Sequence, residues 1–149
     1  MAFSGVLAMC GCKVSHPNTV DRHVVVFLKH HVTVGNKAQK NPLGFTPENL
    51  VDGKTAFGHY CVACHGMDGQ NTGVPFADKM SPPLPSLASR EVQEYSDGQL
   101  KWVIDNGISP SGMPASKGTL SDDEIWAIVL FLRHLPTQGS AGEPEMYSH

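Results

Sequence analysis

The chain has 149 residues, enough for one domain of about a hundred residues with extensions and too few for two ordinary domains. Hydrophobic residues make up 40% of the sequence and charged residues 17%, which is typical of a globular protein rather than a disordered or fibrous one. No apolar run reaches the ~18 to 20 residues that a membrane-spanning helix needs, so we expect any membrane association to be through a tether.

The charge is unevenly distributed along the chain. Residues 1–45 carry five basic residues against one acidic residue, a net charge of +4, whereas residues 46–149 carry six basic against thirteen acidic, a net charge of −7. Neither part interleaves basic and aromatic residues as nucleic-acid-binding surfaces do, so no nucleic-acid partner is expected. The basic part also contains His16, His23 and His30. Solvated histidines are the simpler interpretation of this set than a metal site, because a metal needs converging ligands.

The first twelve residues, MAFSGVLAMCGC, are similar to the end of a bacterial lipoprotein signal, since an apolar stretch leads into small residues and cysteine. A positively charged start is missing, and an ordinary N-terminus is the alternative. We expect a periplasmic protein, or one on the outer face of a bacterial membrane, with Cys10 or Cys12 as the candidate lipidation site. The segment from His23 to Val34 is rich in β-branched residues, which favours an extended conformation.

The first predicted helix begins after residue 45. Thr46 is a suitable N-cap and Pro47 suits the first helical position, and the apolar spacing allows one helix to continue to His65. Gly53 inside this helix costs roughly 1 kcal/mol relative to Ala, a cost that usually reflects close approach by another group.

Two further helices are predicted from capping residues and apolar stripes. One begins at Ser96 or Asp97 and ends at Gly107. The other begins at Ser121, forms a capping box with the glutamate three residues later, and stops before Pro136.

The most informative motif is YCVACHG, residues 60–66. A thioredoxin-type dithiol is disfavoured because the motif ends a helix and the chain shows no alternation of strands and helices. A zinc site with Cys10 and Cys12 as a second pair stays open but is disfavoured, because adjacent Cys64 and His65 rarely bind one ion. Covalent haem explains all three motif residues. Thiols one helical turn apart can add to the two vinyl groups of a porphyrin, and the histidine that follows can bind the iron.

A second axial ligand is predicted in the loop NGISPSGMPASKG, residues 106–118. Met113 lies between Gly112 and Pro114, in a polar loop where a core-filling role is awkward. Met67 is too close to the motif to reach the opposite face of a haem, and Met80 precedes a loop better suited to the histidine side.

The order of segments DGKTAFGHYCVACHG, PPLPSL, LKWVIDNG and SGMPASKGTLSDDEIWAIVLFLRHL resembles that of a bacterial class I cytochrome c, over residues 46–135. The resemblance implies an all-α class I cytochrome c fold, with helices wrapped around one covalent haem. Residues 1–45 would then be a non-helical N-terminal extension and residues 136–149 a polar C-terminal tail.

The resemblance also implies residue roles. The thioether sites would be Cys61 and Cys64, and the axial ligands of the iron His65 and Met113. The carbonyl of Pro85, with Pro83 as the alternative, would orient the proximal imidazole. Gly53 and Phe57 on the first helix would cross the last helix near Trp126.

The function expected from such a site is one-electron transfer rather than enzymatic catalysis, because a six-coordinate iron has no open position for a substrate. The expected partners are redox proteins or a membrane electron-transfer complex of a respiratory or photosynthetic chain. The alternative is a haem enzyme or gas sensor in which the methionine is displaced by a ligand.

Overall fold

The computed structural model describes residues 35–36, 38–80 and 83–139. The predicted lipidation cysteines, the extended segment of residues 23–34 and residues 140–149 of the tail therefore lie outside the described residues. In the described part, the protein is all-α, as predicted, with no β-strand and only two isolated β-bridges. No helix in that part is long and apolar enough to cross a membrane.

Five α-helices and two short 3₁₀ helices are formed within the described residues. The α-helices are α1 (Pro47–Tyr60), α2 (Val62–His65), α3 (Arg90–Gln93), α4 (Asp97–Asn106) and α5 (Asp122–Arg133); the 3₁₀ helices are Ala77–Lys79 and Ser109–Ser111.

The predicted helix from residue 47 to residue 65 forms, with one interruption. The hydroxyl of Thr46 accepts a hydrogen bond from the backbone N–H of Asn49, which confirms the predicted cap. The expectation of one unbroken helix is wrong at Cys61, whose φ of −115° separates α1 from α2. The short helix α2 therefore begins immediately after the first cysteine of the motif.

Both later helices begin where the capping signals predicted. Ser96 caps α4 and Ser121 caps α5, and each forms a capping box with the residue three positions later. Gly107 ends α4 with a φ of +65°, a conformation that favours glycine. In α5, Glu124 accepts from the backbone and the hydroxyl of Ser121, and these hydrogen bonds lower the pKa of the glutamate.

The core is centred on the crossing of α1 and α5. A β-carbon at Gly53 would overlap the carbonyl oxygen of Ala127, so the two helices approach closely only because this residue is glycine. Next to the crossing, the rings of Phe57 and Phe131 lie with their centroids 5.1 Å apart. Trp126 belongs to the same buried cluster, as the expected crossing of first and last helices requires.

Part of the segment assigned by sequence to the extension packs on the helices. The carbonyl of Gln39 accepts from the backbone N–H of Gly98 at 3.0 Å, and a β-carbon at Gly98 would overlap the carbonyl of Asn36. The side-chain amide of Asn41 donates to the carbonyl of Trp126 at 2.9 Å. Asn36, Gln39 and Asn41 therefore contact α4 or α5 before α1 begins.

Candidate haem-binding site

The cysteine motif is held in one helical turn. The backbone N–H groups of Cys64 and His65 both donate to the carbonyl of Cys61, at 3.1 and 3.0 Å. Cys61 is half-buried, Cys64 is exposed, and neither forms a disulfide. Two free thiols therefore lie one turn apart, with an imidazole directly after the second.

Burial determines the protonation states of the Cys61 thiol and the His65 imidazole. Desolvation, with a smaller contribution from Cys64, raises the pKa of the Cys61 thiol to about 11, so this thiol is protonated at neutral pH. Desolvation lowers the pKa of His65, which keeps the imidazole neutral near pH 7. A neutral imidazole is the form that binds a metal.

The loop that follows the motif folds back against it. Asn71 donates from its backbone to the carbonyl of His65 at 2.9 Å and from its side chain to the carbonyl of Leu84 at 2.8 Å. This places the proline-containing stretch near the histidine. The Nδ1 atom of His65 is buried without a hydrogen-bond partner, so its orientation by the carbonyl of Pro85, or of Pro83, stays a prediction.

Met113 lies in a second loop, residues 107–121, which we call the methionine loop. Its carbonyl accepts from the backbone N–H of Ile108 at 3.0 Å, and a β-carbon at Gly107 would overlap the same carbonyl. The half-buried side chain of Met113 packs against the hydrophobic core cluster, as does Cys61. The alternative Met67 is 44% exposed.

The residues present fit a covalent haem c. The donor set comprises two free thiols one helical turn apart, a neutral imidazole directly after the second, and a thioether packed on the same core as Cys61. Haem c, when bound, supplies one-electron exchange at its iron.

The alternative of a zinc site has no support in the described part of the chain. No group of three or more histidine, cysteine, aspartate or glutamate side chains in that part is arranged to hold a metal ion. Cys10 and Cys12, the second pair that such a site would need, lie outside the described residues.

The helical fold and the Cys-x-x-Cys-His motif define a c-type cytochrome. Residues 48–132 match the family model described as cytochrome c oxidase, cbb3-type, subunit III, and this range exceeds half of the chain. The chain therefore belongs to that cytochrome c family. Covalent haem c and haem-based electron transfer follow from this membership.

Similarity to individual proteins is more limited. Quinohemoprotein alcohol dehydrogenase ADH IIB of Pseudomonas putida is 27% identical over 93 residues, which are 61% of this chain and 12% of the dehydrogenase. The chain thus spans only a small part of this relative.

Two solved structures are also similar. The reducing HAO-like protein complex Kustc0457/Kustc0458 of Kuenenia stuttgartiensis has a TM-score of 0.54 and 22% identity, covering 65% of this chain and 47% of that chain. At this identity the likeness supports the fold alone. The KustC0563 c-type cytochrome has a TM-score of 0.48 and 27% identity, covering 56% of this chain and 96% of that chain.

The structure also points to residues whose role the sequence reasoning missed. Gly107 was assigned only as a helix end, although it also allows the methionine loop to pass close by. Lys101 was not singled out, yet it is a buried charge beside that loop. Its spacing of four residues from Asp105 was the available signal.

Proposed function

We propose that this protein carries single electrons through one haem c, attached at Cys61 and Cys64, with His65 and Met113 as the axial ligands of the iron. The observation that carries the proposal is the arrangement of both free thiols and a neutral imidazole in one helical turn. A methionine on the core-facing side of a separate loop supplies the thioether that would close the sixth position. Met and His ligation favours a fairly high reduction potential.

An electron-transfer role predicts that the ferrous iron does not bind carbon monoxide, because both axial positions are filled by protein side chains. The optical spectrum of the reduced holoprotein should be unchanged by carbon monoxide at neutral pH. A large shift of the main absorption band would instead favour a gas-sensing or enzymatic role with a displaced methionine.

The proposed partners are redox proteins of a respiratory or photosynthetic chain, or the other subunits of a membrane complex. The family description, which names an oxidase subunit, supports the second of these. The similar dehydrogenase segment supports a donor that oxidises a small substrate. Copurification of a membrane oxidase with the native protein is the expected result, and recovery of the protein without a partner after mild cross-linking would count against a subunit role.

We also propose a location in the periplasm or on the outer face of a bacterial membrane, with Cys10 or Cys12 as the lipid attachment site. The support is the sequence of the first twelve residues. The native protein should partition into detergent, whereas a Cys10→Ser/Cys12→Ser variant should remain in the aqueous phase. Aqueous recovery of the native protein would contradict the lipid tether.

A further inference from the structure

Lys101 is a buried charge at the junction of α4, α5 and the methionine loop. Only 7% of its side chain is exposed. Its Nζ atom donates to Oδ2 of Asp105 and to Oδ1 of Asp122, each at 2.8 Å. The same atom lies 5.6 Å from the ring centre of Trp126 on α5.

The two carboxylates that Lys101 binds belong to residues on either side of the methionine loop. Asp105 belongs to the last turn of α4, two residues before the loop begins, and Asp122 is the first residue of α5, directly after the loop ends. The carbonyl of Asp105 also accepts from the backbone N–H of Lys117 at 3.1 Å, within the returning half of the loop. One ammonium group therefore connects the two residues that flank the loop, and a backbone hydrogen bond ties the returning half of the loop to one of them.

A buried ammonium group carries a cost that an apolar residue would avoid. Removing a charge from water is expensive, and apolar replacements of buried ion pairs are often equally stable, so stability alone is a weak reason for this arrangement. Desolvation would lower the pKa of Lys101, but the hydrogen bonds that its ammonium donates to the two carboxylates, with their negative charge, more than offset it, and the pKa is raised. Lys101 is therefore charged at neutral pH and holds both carboxylates in one geometry.

We propose that Lys101 is a positioning residue for the sixth ligand: by joining the two ends of the methionine loop, it keeps the thioether of Met113 at the distance from the haem that an iron bond requires. This inference rests on the proposed function, specifically on Met113 as ligand. Without the lysine, the loop remains attached by its backbone hydrogen bonds but samples positions in which the iron is open.

The test uses Lys101→Met in the haem-loaded protein, with imidazole as the probe. Imidazole binds ferric iron only when the methionine has left, so its apparent affinity rises in proportion to the open fraction. The variant is expected to bind imidazole on the order of tenfold more tightly than the wild type, since hydrogen bonds to charged groups are among the strong ones. The absorbance band of the methionine-to-iron bond should weaken in parallel.

Arg133→Met is the matched control. Arg133 is also a partly buried cation that joins α5 to other elements, through an ion pair with Asp97 at 2.8 Å and a hydrogen bond to the carbonyl of Gln93 at 2.9 Å. These contacts lie at the opposite end of α5 from the methionine loop. This variant should lose thermal stability but keep the wild-type imidazole affinity.

Asp122→Asn keeps the test decisive if Lys101→Met fails to fold. The Asp122 side chain is 80% exposed, so its replacement leaves the buried pair of Lys101 and Asp105 in place. Imidazole binding should tighten by roughly threefold, in keeping with the modest strength of a pair whose acidic partner is exposed. Wild-type imidazole affinity in both Lys101→Met and Asp122→Asn would overturn the proposal. If Lys101→Met does not fold, wild-type affinity in Asp122→Asn alone would overturn it.

A Met113→Ala variant separates this inference from the proposed function. If that variant binds imidazole far more tightly and Lys101→Met does not, Met113 is the ligand and Lys101 does not position it. If neither changes imidazole binding, the assignment of the ligand fails, and the positioning role fails with it.

Discussion

Replacing Gly53 with alanine should strongly destabilise the protein. The added methyl group would overlap the carbonyl oxygen of Ala127, a backbone atom that can move only if α1 and α5 separate. Separation at the centre of the core loses packing along both helices, and we expect the free energy of unfolding to fall by about 3 kcal/mol. Denaturant unfolding of the haem-loaded protein measures this change.

The same chain offers a control that uses the same substitution in the same helix. Gly58 is exposed on α1, and a β-carbon there would meet no atom within 4 Å. Gly58→Ala should therefore stabilise the protein by up to about 1 kcal/mol through helix propensity. Similar effects of the two substitutions would contradict the close crossing at Gly53.

Replacing Met113 with alanine should open the iron while leaving the haem attached. The two thioethers and His65 would still hold the cofactor, so the variant should be mainly high-spin, bind carbon monoxide when reduced, and lose the weak far-red band expected of ferric methionine coordination. Met113→His should restore six-coordination and lower the reduction potential. Optical spectra and potentiometric titration measure both effects.

Met67→Ala and Met80→Ala are the controls for this prediction. Met67 is exposed in the loop after the motif, and Met80 lies at the end of a 3₁₀ helix in the same loop. Both variants should keep the wild-type spectrum and potential. A wild-type spectrum in Met113→Ala, with a changed one in Met80→Ala, would transfer the sixth ligand to Met80.

Local signals were sufficient to predict most of the helical framework. The caps at Thr46, Ser96 and Ser121 each consist of a side chain that accepts from the backbone N–H three residues later, an interaction contained within a few positions. Gly53 was informative because a glycine in a helix interior is less stable than alanine. Such a loss of stability usually reflects close approach by another group.

Other features depend on contacts between distant positions. The packing of Asn36 and Gln39 requires Gly98, some sixty positions along the chain, and nothing in the sequence around the two residues predicts it. Lys101 has the spacing of an ordinary surface ion pair with Asp105, whereas its contacts with Trp126 and Asp122 on α5 are made across the fold. The break at Cys61 is a different case, because it is a local backbone change that apolar spacing does not report.

For the candidate site, the sequence supplied the motif residues and the methionine, while the structure adds how their loops are held. Hydrogen bonds of Asn71 hold the loop after the motif in place. The methionine loop is held by the backbone hydrogen bond of Ile108, the close approach at Gly107 and the ion pairs of Lys101. These contacts are set by tertiary packing and leave no sequence motif of their own.

The most direct test of the account is the intact mass of the protein produced with a haem-attachment system, followed by acid-acetone extraction. We expect the mass of the chain plus one haem, retained through extraction, and no attached haem in a Cys61→Ala/Cys64→Ala variant. Haem that is extracted from the wild type, or zinc in its place, would contradict covalent attachment at these two cysteines.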